Sequence, residues 1–178
     1  MSLLWVTDIW GQHSTLTARI ERLTDVAGDC QLLDPYAGQP FAFADEQQAY
    51  DYFLCRCSKP GYVDKLEAWL ECHPEPVTLL GFSAGANAIA QLLRRRSFPQ
   101  VQRVLMIYGN ELPLEPLPVT THLLLCRDDA GVSDATLDWP ASVQICDAGH
   151  GFMNPRSPNY DAQAADTGWR WIQSLIAG

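Results

Sequence analysis

Positive charge is scarce in this sequence: Lys and Arg number 12 against 21 Asp and Glu, a formal net charge of −9. Such a chain repels phosphate backbones and anionic membrane surfaces, so nucleic acid and membranes are excluded as expected partners. Arg94 to Arg96 form the only basic block, and three arginines at a helix end fit the negative pole of the helix dipole better than a binding patch. Long apolar runs are missing as well. The opening MSLLWVTDIWG carries no basic leader, and Asp8 interrupts a run already too short to cross a bilayer, so a cytoplasmic protein is expected. The six cysteines (Cys30, Cys55, Cys57, Cys72, Cys126, Cys146) lack zinc-ligand spacing, because Cys55 and Cys57 have no second pair. Reduced thiols are expected, with neither a metal site nor a disulfide framework. Repeats and linkers are absent, so residues 1–178 read as one domain.

What is present is alternation. Short apolar runs bounded by turn residues are separated by stretches of helical period, the rhythm of a parallel sheet with crossover helices. SLLWVTDI is the first strand; Leu16, Ile20, Leu23 and Ala27 then mark one helical stripe, with Ser14 as its expected cap. CQLL is a short second strand. Pro35, Gly38 and Pro40 make the next segment irregular, Asp45 onward is helical until SKPG, and Tyr62, Leu66, Trp69 and Leu70 line a further helix. VTLLGF, almost wholly apolar, belongs at the sheet's centre, where both faces are covered. VQRVLMIYG, THLLLC and SVQIC supply three more strands, and Ala162, Ala165, Trp169, Ile172 and Ile176 a last helix. ELPLEPLP, between two of these strands, reads as a stiff loop, because the basic residues that accompany PxxP ligands are missing. The fold class is therefore α/β, with a mostly parallel sheet of about six strands and helices on both faces.

The stretch GFSAG, Gly81 to Gly85, carries the chemistry. A Gly-x-Ser-x-Gly pentapeptide alone says little, but here it joins a buried strand to an amphipathic helix, the strand–turn–helix setting of a nucleophile elbow. A neutral serine needs a base and a group to orient it. Of four histidines, His73 and His122 lie at the beginnings of strands, away from the carboxyl edge where such sheets do chemistry. His13 follows the first strand. His150, in the loop DAGHGF, alone satisfies the order serine, acid, histidine. Asp128 and Asp129 both follow THLLLC; position favours Asp129, Asp134 is next, and Asp147 fits a turn.

The tail AGHGFMNPRSPNYDAQAADTGWRWI resembles the histidine loop and terminal helix of the dienelactone hydrolases, a family of the α/β-hydrolase fold. VTDIWG and LLDPYAG are similar to that family's loops after its first two strands. The resemblance implies a three-layer fold without a cap domain, with Ser83 as nucleophile, Asp129 as acid and His150 as base. It implies an oxyanion hole from the N–H groups of Ile9 and Ala84, an acidic Asp8 beside the nucleophile, and Trp10 and Phe152 lining an acyl pocket. The best-known members use cysteine where this chain has Ser83, so serine chemistry is implied, with no cofactor, on a small ester, thioester or lactone. The family's substrate-carboxylate arginines have no clear counterpart; Arg127 and Arg156 lie nearest. The competing expectation is a non-catalytic protein that keeps the fold and uses the cleft to bind a ligand or partner.

Overall fold

The structure, a computed structural model, describes residues 2–129, 132, 139 and 142–178; Asp134 lies outside them. Six strands, β1 (Ser2–Val6), β2 (Asp29–Leu33), β3 (Val77–Phe82), β4 (Val101–Ile107), β5 (Thr120–Cys126) and β6 (Ser142–Cys146), form one sheet in the order β2-β1-β3-β4-β5-β6. All five pairings are parallel. Successive strand residues face opposite sides. Leu4, Val6, Leu79, Val104 and Met106 therefore enter one core, and Leu3, Trp5, Leu80, Phe82, Leu105 and Ile107 the other. Burying each such side chain contributes about 1.5–3 kcal/mol, which is why both faces need helices.

Helices α1 (Thr17–Ala27) and α5 (Ala162–Ala177) cover the second core; α2 (Glu46–Arg56), α3 (Lys59–Cys72) and α4 (Ala84–Arg95) cover the first. No cap domain interrupts these elements among the described residues, and no helix there is long and apolar enough to cross a membrane. The SKPG break is also a start: Ser58 caps α3 by accepting the Gly61 N–H at 3.2 Å, with proline in the first turn. Asp45 caps α2 through the Gln48 N–H, and Asp161 caps α5. The expected Ser14 cap is not made. A 3-10 turn, Ser14–Leu16, leads into α1 instead, closed by the Leu16 N–H on the His13 carbonyl at 3.0 Å. Arg94 and Arg95 lie in the last turn of α4, while Arg96 pairs with Glu67 and Glu71 of α3. The ELPLEPLP segment is the β4–β5 connection.

Because every strand runs the same way, the segments after β1, β3, β5 and β6 emerge at one edge. Helix α4 is pressed hard onto that edge. A Cβ on Gly85 would collide with the Val6 carbonyl oxygen and stand 2.6 Å from that of Thr7. Neither backbone oxygen can retreat without disturbing β1, so Gly85→Ala is expected to cost about 2–3 kcal/mol. Urea denaturation checks this; an unchanged midpoint would contradict the close seating of α4 on β1.

Candidate active site

Ser83 sits between β3 and α4 with φ 48° and ψ −111°, a backbone conformation unusual for an L-residue. Holding it costs on the order of 1–3 kcal/mol, offset by its surroundings. The Ser83 N–H donates to the Ile107 carbonyl at 2.9 Å, and the Ser83 carbonyl accepts the Asn87 N–H at 2.9 Å. A Cβ on Gly81 would stand 2.7 Å from both the Ala86 nitrogen and Ile89 Cδ1, so the first glycine of the pentapeptide lets helix and strand meet.

The sharp turn delivers the Ser83 hydroxyl to the histidine loop. Ser83 Oγ lies 2.8 Å from His150 Nε2, and His150 Nδ1 lies 2.8 Å from Asp129 Oδ2. With the carboxylate on Nδ1, that nitrogen carries the proton and donates it, which leaves Nε2 to accept from the serine. Asp129 stands in the turn after β5, its N–H on the Cys126 carbonyl at 3.2 Å. Its side chain is 11% exposed, and Asp128 beside it is exposed. The His150 loop is fixed by Asn159, which donates to the His150 carbonyl at 2.9 Å, and by Tyr108, whose ring meets the imidazole edge-on at 5.2 Å. The other acids and histidines lie elsewhere. Asp147 pairs with Arg127, His73 stacks on Trp69, His122 faces Trp171, and His13 bonds to Thr15.

A cleft of about 500 Å³ opens over Ser83 and His150. Ile9 and Ala84 line it, and no protein acceptor takes either backbone N–H among the described residues. The Ile9 carbonyl accepts the Tyr36 hydroxyl at 2.7 Å, which holds this peptide in place. Trp10 and Phe152 do not line the cleft. Trp10 is buried beneath the Arg156 guanidinium, 4.8 Å from its ring centre, and Phe152 packs on Tyr108 at 5.6 Å. The walls come instead from Glu46, Gln47, Tyr50 and Phe53 of α2, Lys59 of α3, Asn87 and Gln91 of α4, and Asn110 and Glu111 after β4. Sequence reasoning missed this polar wall, because no local motif marks which surface residues of α2 face the serine; only the stripe Glu46, Tyr50, Phe53 at helical spacing hints at a shared face. No group of three His, Cys, Asp or Glu gathers to hold a metal ion among the described residues.

Asp8 is buried behind the cleft, not in it. It accepts the Trp10 N–H at 3.0 Å and the Asn154 side-chain amide at 2.6 Å, tying the loop of Ile9 to the loop of His150. Burial pushes its carboxyl from 3.8 up to about 6; those two hydrogen bonds, then His150 and Arg156, oppose the rise. A carboxyl that holds its proton more tightly when folded favours the native state at low pH, and that contribution is lost as pH rises from about 4 to about 6. The unfolding free energy of wild type relative to Asp8→Asn should therefore fall across that window and stay flat above it. Denaturant titrations at several pH values test this, and a constant difference would refute it.

No family profile matches the sequence, and no curated protein does. Solved structures do. A candidate dienelactone hydrolase from Klebsiella pneumoniae superposes with a TM-score of 0.71 at 16% identity, over 99% of this chain and 86% of that one. A dienelactone hydrolase-like promiscuous phosphotriesterase from metagenomic libraries gives 0.68 at 21%, over 99% and 85%. Mouse alpha/beta hydrolase domain-containing protein 10 gives 0.67 at 12%, over 98% and 89%. With six parallel strands, helices on both faces and a serine on the turn after β3, the chain has the α/β-hydrolase fold.

Proposed function

We propose that this protein is a serine hydrolase of the dienelactone hydrolase type, cleaving a small ester, thioester or lactone through an acyl-enzyme intermediate. The observation that carries the proposal is the unbroken relay from the Ser83 hydroxyl through His150 to Asp129, each link 2.8 Å. Ser83 Oγ attacks the carbonyl carbon while His150 Nε2 takes its proton, and Asp129 steadies the imidazolium. The N–H groups of Ile9 and Ala84 hold the oxyanion at the N-terminal end of α4; one such donor is typically worth about 10²–10³ in rate. His150 then protonates the departing alcohol or thiol, and water, deprotonated by the same imidazole, releases the acid and restores Ser83. The substrate is a small molecule, in keeping with the cleft's size. Six free thiols suit a reducing compartment, and we place the enzyme in the cytoplasm on that ground.

Neither arginine near the site supports an anionic lactone as substrate. Arg127 pairs with Asp147, and Arg156 donates to the Phe41 carbonyl at 3.0 Å; neither lines the cleft.

Ser83→Ala is expected to lower hydrolysis of 4-nitrophenyl acetate by at least about 10³-fold and to abolish labelling by a fluorophosphonate. Full activity in that variant would overturn the assignment, and an inert serine in folded wild type would favour a non-catalytic binder. Asp129→Asn should reduce kcat by about 10²-fold or more, because the imidazole loses its orienting acceptor, whereas Asp128→Asn should change it less than about threefold. Equal losses in steady-state assays would defeat the choice of Asp129.

A further inference from the structure

The charge in the cleft wall carries a consequence for substrate choice that rests on the hydrolase reading above. Among the described lining residues, Lys59 is the one permanently basic side chain. Its ammonium is already paired with Glu111, whose other oxygen takes the Gln91 amide at 3.3 Å. That hydrogen bond raises the Lys59 pKa, with the Tyr50 hydroxyl adding a smaller share, so the lysine stays protonated and neutralised in place. Glu46 is different. It lines the same cleft from the first turn of α2, is half-buried, and forms no salt bridge among the described residues. As the first residue of α2 it stands at the positive end of the helix dipole. Two carboxylates against one ammonium leave the wall with one net negative charge, and the whole chain, at −9, reinforces it.

One helical turn beyond Glu46 stands Tyr50, 37% exposed and also lining the cleft. A carboxylate and an aromatic ring at i and i+4 on one helix face form neighbouring surfaces, and both attract the same kind of ligand: a cation is drawn to the carboxylate by charge and to the ring by its quadrupole. We propose that the Ser83 cleft selects esters or thioesters carrying an ammonium or quaternary ammonium group, with Glu46 and Tyr50 holding the cation and the acyl carbon presented to Ser83. An anionic substrate meets the opposite field and finds the one permanent counter-charge among the described lining residues already engaged by Glu111.

Three thioesters of matched size test this: butyrylthiocholine, its uncharged isostere 3,3-dimethylbutyl thiobutyrate, and S-butyryl-3-mercaptopropanoate, with butyrate release followed by chromatography. At low ionic strength, kcat/KM for the cation should exceed that for the neutral ester by roughly five- to tenfold, the range for one partly exposed ion pair plus one ring contact. The anion should be poorest. The cation-to-neutral ratio should fall toward one in Glu46→Gln, survive in part in Glu46→Asp, and shrink with added sodium chloride. Fluorophosphonate labelling of Ser83 in each variant confirms a folded, assembled site. A ratio near one in wild type, a preference for the anion, or a preference undiminished in Glu46→Gln overturns the cation assignment while labelled Ser83 leaves the hydrolase standing. Absence of both labelling and turnover in folded wild type removes both.

Discussion

The contact on which the site depends is the seating of α4 against the end of β1, with no side chain between them. Gly85 lies against the Val6 and Thr7 carbonyls, and Gly81 leaves room for Ala86 and Ile89. This closeness accompanies the positive φ at Ser83, on the turn between the two elements. Were the helix to stand off by the width of a methyl group, the serine could relax into an ordinary conformation. The strain at one residue is thus the local expression of packing between two elements.

A second constraint is electrostatic. The loops bearing Ile9 and His150 come from opposite ends of the chain, yet Asp8 and Asn154 hydrogen-bond directly between them at 2.6 Å. Burying a carboxyl is costly, and the raised pKa of Asp8 records that cost. The arrangement persists because both carboxylate oxygens have donors, Trp10 N–H on one and Asn154 on the other. Arg156, two residues on, extends the same tie outward by lying over Trp10 and bonding to Phe41. Aromatic residues that resemblance placed in an acyl pocket serve here as the packing beneath this junction.

Much of this was legible in the sequence, and the reason is periodicity. The six strands and, among the described residues, the five helices fall on stretches the sequence marks, four of the helices by apolar spacing and α2 by its flanking breakers; β1 stops at Val6, short of the Ile9 its apolar run suggested, and VTLLGF lies inside the sheet as its doubly apolar pattern requires. The Ser83, His150 and Asp129 alignment follows from chain order plus parallel topology, since strand ends in such a sheet share one edge. The rest was illegible for physical reasons. Ser14 has the chemistry of a cap, but the backbone made a 3-10 turn that needed none. Trp10 and Phe152 are large and close in sequence to the site, yet which way an aromatic ring turns depends on partners such as Arg156 and Tyr108 from distant segments. The polar wall on α2 depends on tertiary docking alone.

The bridge from Asp8 to Asn154 spans 146 positions of chain, and this separation bears on biogenesis. A polypeptide emerging from the ribosome has its serine turn long before the imidazole that bonds to it, because residue 150 is made late. On the proposed triad, a partly made or misfolded copy would be chemically silent, and covalent labelling of the serine by a mechanism-based reagent would count finished molecules.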